Sequence, residues 1–301
     1  MGFKKPILVT GSHRSGSTWV GNMIALSPEV RYIDEPFNLK FKSSPFKFWF
    51  EYVNKENEEK FLSYLNNEIH LGPASLFWDI INIQKRQDIK PRIRKWKDQI
   101  LNKRPLLKDP IAILSAEWLA KKYNADVLIL IRHPAAFVNS IKNLGWKHNF
   151  SEFLKQPQLM NDYLSDFIDD INKFSKKEFP ILDQAILLWK IFHTVILKYQ
   201  QEHSEWMFLR YEDIAASPIP SFNKIYEKLK LGFNDNIVNK ISFYSKLETQ
   251  SLLFSHDPHT VRRNSKDNII VWKTSLTEME IKKIRDEVES VSFHFYKDHD
   301  W

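Results

Sequence analysis

Apolar residues occur in short blocks closed by small or polar residues, and these blocks alternate with stretches of helical period. "PILVTG" (6–11) is a brief apolar run ending in glycine, which predicts a buried strand. "STWVGNMIAL" (17–26) predicts a helix that stops at Ser27-Pro28. "VRYI" (30–33) and "RPLLKDP" (104–110) predict two more strands, and a helix follows over 113–123. "ADVLILIRHP" (125–134) is the clearest buried strand and passes into a helix, "AAFVNSIKNL" (135–144). Helical patterns fill 151–175 and 180–203, "WMFLRYEDI" (206–214) returns to strand, and helices follow over 217–230 and 276–291. Thr277 with Glu280 three residues on gives the last helix a capping box. Strands alternating with helices predict an α/β fold, a three-layer α/β/α arrangement with a mostly parallel central sheet. Residues 37–104 show no sustained period apart from helix around 55–69. The chain reads as a single domain, 1–301, with insertions at 37–104 and 145–205.

Composition narrows the function classes. Hydrophobic content of 43% and charged content of 27% are those of a soluble globular protein. No run approaches 18 apolar residues, so no transmembrane segment is expected, and the apolar run at 7–9 is too short for a secretory signal. The absence of cysteine excludes disulfides, thiolate catalysis and cysteine-based metal sites. The net charge of +7 is scattered along the chain rather than striped. That pattern suits an anionic ligand and does not favour nucleic acid. Aromatic residues are dense in 37–50 and 137–174, which marks both segments as candidate walls of a pocket.

The chemistry concentrates in "TGSHRSGST" (10–18), between the first strand and the first helix. Gly11 and Gly16 have the spacing of a phosphate-binding P-loop, and Thr18 takes its hydroxyl position, but Ser17 stands where the loop's lysine belongs. Successive N–H groups and the positive end of the helix form an anion cradle. The missing lysine disfavours ATP hydrolysis or kinase chemistry, and Arg14 supplies the cation from within the loop. A second cation, Arg132, ends the strand at 125–134, where a metal-holding aspartate is often found, and Ser140 follows two turns into the next helix. Strand ends line the ligand crevice of such sheets. Two anion sites point to a nucleotide with phosphates on both sides of its ribose.

These residues resemble the sulfotransferases that use 3′-phosphoadenosine 5′-phosphosulfate (PAPS). "GSHRSGSTW" resembles their 5′-phosphosulfate loop and "LIRHPAAFVNSIKN" their 3′-phosphate element; "RYEDIAASP" and "WKTSLTEMEIKKI" are similar to stretches of bacterial and carbohydrate-type members. The resemblance implies a P-loop-type sheet with helical insertions at 37–104 and 145–205 on the acceptor side. It implies PAPS as donor and adenosine 3′,5′-bisphosphate (PAP) as product, with no metal required. Arg14, Ser15, Gly16, Ser17 and Thr18 would hold the 5′-phosphosulfate, with Trp19 supporting the loop or packing near adenine. Arg132 and Ser140 would hold the 3′-phosphate, and "VRRNSK" (261–266) offers Arg262 or Arg263 in place of an R-K-G element that the chain lacks. Where many members have Lys, this chain has Arg14, whose planar fork is not equivalent.

An acceptor hydroxyl needs a base. Glu35, in "YIDEPFN", matches the glutamate of the carbohydrate-type enzymes' E-P element, and His148 in "GWKHNF" is the runner-up. Lys108 at the end of the strand 104–110 is placed to meet the transferred group or an acidic acceptor, and Asp109 to orient it or act as an alternative base. The expected protein is a cytoplasmic sulfotransferase acting on a hydroxyl of a glycan or glycolipid. The alternatives are a P-loop kinase or nucleotide hydrolase with a degenerate loop, or a non-catalytic nucleotide-binding protein.

Overall fold

The computed structural model describes residues 4–40, 44–70, 100–246 and 267–301, with Ile93, Lys97 and Asp98 between them. Its strands are β1 (Ile7–Gly11), β2 (Val30–Asp34), β3 (Arg104–Lys108), β4 (Asp126–Ile131) and β5 (Met207–Arg210). They form one parallel sheet in the order β2-β3-β1-β4-β5. From β1 the chain runs first to the β2–β3 side and later to the β4–β5 side. The topological switch therefore lies at the carboxyl end of β1, where such sheets bind ligands.

The alternation of side chains along each strand builds the two outer layers. Leu8, Ile33, Leu107, Ile129 and Ile131 face one core, shared with the helices Pro134–Leu144 and Ile181–Glu202. Val9, Leu106, Leu128 and Leu130 face the other, shared with helix α1 (Ser17–Ile24) and the helices Tyr211–Ala216 and Pro218–Lys228. Burial on both faces explains why "DVLILI" reads as an unbroken apolar run rather than an alternation. No helix among the described residues is long and apolar enough to cross a membrane.

The expected elements form, with three differences. The strand expected over 206–214 ends at Arg210, and Tyr211–Ala216 is helix; its apolar residues face the core at helical spacing. The pattern at 151–175 breaks into short pieces, Ser151–Leu154, Pro157–Asp162 and Ile168–Lys176, because Pro157 cannot continue the preceding helix. Helices at Asp235–Lys246 and Asp267–Ser275 escaped the sequence reading. The capping box forms as expected: Thr277 and Glu280 each accept the other's backbone N–H, ahead of helix Glu278–Ser292.

Asp109 follows β3 and is fully buried. Its oxygens accept the amides of Ile111 at 3.0 Å and Phe37 at 2.7 Å, so it caps the 3-10 turn Pro110–Ser115 and ties down the chain after β2. Both oxygens serve the backbone, so the expectation that Asp109 orients an acceptor gives way to a structural role. Burial pushes its carboxyl up to about 7.

His13, His133, His148 and His193 are pushed the other way, each down to about 3, by burial above all. An unfolded chain binds these protons below about pH 6.5, whereas the folded chain binds them only near pH 3. Their contribution to stability is present above pH 6.5 and is lost as pH falls toward 3. Asp109, with a raised value, opposes this between about pH 4 and 7, one group against four. The urea midpoint is expected to fall steadily from pH 7 to pH 4; a flat or rising midpoint contradicts the burial of these imidazoles.

Candidate active site

The carboxyl ends of β1, β2, β3 and β4 open into a cleft of about 2020 Å³. The loop between β1 and α1 forms one wall. Arg14 and Gly16 both have left-handed backbone, with φ of 63° and 89°. Glycine is required at position 16 for a second reason: a Cβ there would lie 2.3 Å from the Tyr211 ring. Within α1 the N–H of Val20 bonds back to the carbonyl of Gly16. The amides of Ser17, Thr18 and Trp19 thus precede any intrahelical acceptor, as the first turn of a helix must. The hydroxyls of Ser12 and Ser15 are buried with no protein partner among the described residues. First-turn amides without an intrahelical acceptor, orphan hydroxyls and a helix N-terminus fit a bound phosphate or sulfate group.

Arg14 reaches across the cleft. Its Nε donates to Ser140 Oγ at 2.9 Å, and its guanidinium lies over Trp146, 5.6 Å from the ring centroid. Arg132 at the end of β4 is buried but lines the same cleft. Its guanidinium rests 3.9 Å from the centroid of the Tyr211 ring, the ring that also packs on Gly16. Glu212 faces Arg132 Nε at 3.5 Å, accepts the His133 amide at 3.1 Å, and accepts the Tyr296 hydroxyl at 2.9 Å. Tyr211 therefore joins the two expected anion sites, and Glu212 fixes the second.

The opposite wall carries carboxylates and a lysine. Glu35 follows β2 with a left-handed backbone, φ 47°, and its amide donates to the Lys108 carbonyl at 2.8 Å. Lys108 Nζ lies 2.6 Å from both Glu35 Oε1 and Asp34 Oδ1. Asn38 donates to the other Glu35 oxygen at 2.7 Å. Lys108 is 2% exposed, and burial alone would lower its pKa; Glu35 and Asp34 outweigh that and hold it above the usual lysine value. Gly21 makes room for the lysine stem, since a Cβ there would approach Lys108 Cγ to 2.9 Å.

The model of the Sulfotransferase family matches residues 6–235. The chain belongs to this family. Among solved structures, it is similar to the sulfotransferase domain of the olefin synthase from Synechococcus PCC 7002, at 14% identity and a TM-score of 0.51, with 98% of this chain and 96% of that one covered. It is similar, too, to the sulfotransferase domain of the curacin biosynthetic pathway, at 16% identity and a TM-score of 0.51, with 96% and 99% covered. At such identities the likeness is one of fold. No curated protein matches the chain.

In this sulfotransferase the cleft brings together Arg14, Gly16, Ser17, Thr18, Trp19, Glu35, Lys108, Arg132, Ser140 and His148. Ser15 is fully buried beneath the loop. Trp19 packs edge-on to Tyr211 and Phe222. The His148 ring sits among Phe50, Phe150 and Phe153. Arg262 and Arg263 lie outside the described residues. Sequence reasoning missed the roles of Tyr211 and Glu212. The "RYED" stretch was visible, but an extended strand would have carried it past the site, whereas the helix starting at Tyr211 turns both side chains back onto it.

Glu212 and Arg132 are both nearly buried, so removing the carboxylate strands a charge. Glu212→Ala is expected to lower the unfolding free energy by about 3–5 kcal/mol, and Tyr296→Phe, which removes a single hydrogen bond, by about 1 kcal/mol. Denaturant titration checks the ratio; equal losses contradict the central place of Glu212.

Proposed function

We propose that this sulfotransferase moves a sulfuryl group from PAPS to a hydroxyl of a glycan or glycolipid acceptor, in the cytoplasm. The supporting observation is a single cleft in which two guanidinium sites, linked through Tyr211 and Ser140, face a Glu35–Lys108 pair. The first-turn amides of α1, with Ser17 and Thr18, take the 5′-phosphosulfate. Arg132 and Ser140 take the 3′-phosphate.

Transfer is an in-line displacement in which positioning and charge stabilisation do most of the work. The acceptor oxygen forms a bond to sulfur as the bond from sulfur to the bridging phosphate oxygen breaks, and PAP leaves. Arg14 and the loop amides meet the charge developing on the leaving phosphate. Lys108, held beside the acceptor wall, meets the oxygens of the sulfuryl group. Glu35 takes the hydroxyl proton: its carboxylate is anchored by Lys108 and Asn38, yet each oxygen keeps a further lone pair. His148 is a poorer base, because burial pushes it down to about 3. The scheme requires no metal.

With sulfur-labelled PAPS and a panel of glycan acceptors, Glu35→Gln is expected to lower kcat by about 10²–10⁴ while PAP affinity stays within a few-fold. Unchanged turnover removes Glu35 as base. Arg132→Ala is expected to raise KM for the donor by about a hundredfold, the loss of a charge-assisted contact; an unaltered KM refutes its role.

A further inference from the structure

Two imidazoles that the displacement does not use stand on either side of Phe50. The His13 ring lies 5.3 Å from Phe50, 5.1 Å from Phe137 and 5.8 Å from Phe192, and it stacks on Trp146 at 6.3 Å with 19° between planes. The His148 ring lies 5.8 Å from Phe50, 5.0 Å from Phe150 and 4.8 Å from Phe153. His13, Phe50, Trp146 and His148 all line the cleft that holds Glu35. Neither His13 Nδ1 nor His148 Nε2 has a partner among the described residues. Phe50 holds this wall with a left-handed backbone, φ 63°, a strained conformation that persists only where surrounding structure fixes it. Ser115 and Gln156 supply that fixing: Ser115 donates to the Glu51 carbonyl and accepts the Val53 amide, and Gln156 accepts the Tyr52 amide.

We propose that His13, Phe50, Trp146 and His148 form the acceptor subsite, and that it takes an uncharged ring by its apolar face and rejects rings bearing a carboxylate, sulfate or phosphate. The faces of aromatic rings carry negative potential and repel anions. The imidazoles add no positive charge, since burial keeps both neutral, and His148 and Arg14 further disfavour a proton on His13. The cations near these rings are already engaged. Arg14, over Trp146, donates to Ser140 and faces the donor side, Lys108 holds Asp34 and Glu35, Arg31 donates to the carbonyls of Glu68 and Ile69, Lys147 pairs with Glu178, and Lys40 stands exposed at the rim. An anionic ring would be stripped of water here against apolar faces and would have to compete for cations already engaged, which is costlier than burying a neutral one. The net basic charge of the chain is thus no guide to its acceptor. The inference rests on the sulfuryl-transfer reading for its name, an acceptor, but not for its selectivity.

The test uses two matched pairs of probes, methyl β-glucoside against methyl β-glucuronide and 4-methylphenol against 4-hydroxybenzoate. Binding is read by saturation-transfer NMR, with and without PAP, so that turnover is not needed. The neutral member of at least one pair is expected to bind about tenfold or more tightly than its anionic partner; which pair binds tells a sugar ring from a phenol. Trp146→Ala, which removes a half-exposed side chain, weakens the neutral probe about tenfold, and Trp146→Phe restores most of the loss. Equal or tighter binding of the anionic members, or binding of none of the four probes, overturns the proposal. Failure to bind PAP, with the neutral preference intact, overturns the donor reading instead.

Discussion

The Tyr211 ring is the constraint on which the arrangement of the proposed donor site depends. It fills the space that a side chain at Gly16 would occupy, and the same ring supports the Arg132 guanidinium. One aromatic ring thereby sets the distance between a phosphate loop after β1 and a cation after β4. Glu212, the next residue, closes the arrangement by holding Arg132, the His133 amide and the Tyr296 hydroxyl at once. Residues near 300 extend the brace: Asp300 pairs with Arg210 at 2.6 Å, and the Trp301 ring packs edge-on to His133 at 4.6 Å. The parallel sheet brings the strand ends together, and the helix after β5 fixes how far apart the two anion sites stand.

The acceptor side is organised by a different balance. Lys108 is buried deeply enough that it needs carboxylates, and Glu35 and Asp34 supply them. Asp109 is buried next to it and is satisfied chiefly by backbone amides. Two neighbouring residues of one strand end thus meet the cost of burial in opposite ways, one charged and facing the cleft, the other a cap that holds the Glu35 turn in place. The unusual backbone of Glu35 belongs to the same design, since its amide continues the β2–β3 ladder while its side chain points to Lys108.

Much of this was legible in the sequence. The apolar runs marked each strand, because a parallel sheet is buried on both faces and leaves no alternation to misread. The spacing of Gly11 and Gly16 and the cations at 14 and 132 marked the proposed donor site, since anion binding demands glycine freedom and positive charge in recognisable places. What was not legible depends on distant packing. Asp109 and Lys108 are adjacent acid and base in the sequence, and nothing local says that one turns inward to backbone amides. The end of β5 at Arg210 could not be placed, because "FLRYEDI" suits strand and helix alike until the core on the far side of the sheet decides. The association of His13 with Trp146 and His148 joins the first loop to an insertion more than a hundred residues later, a contact that only the fold creates.

The claim that carries the rest is that two cationic sites, held by one ring, recognise an adenosine with acid groups on both sides of its ribose. Isothermal calorimetry of the purified chain with PAP, AMP and Mg·ATP measures this directly. The account predicts that PAP binds, that AMP, without the 3′-phosphate, binds at least about tenfold more weakly, and that Mg·ATP binds no better than AMP. Tight uptake of Mg·ATP with no heat from PAP contradicts it.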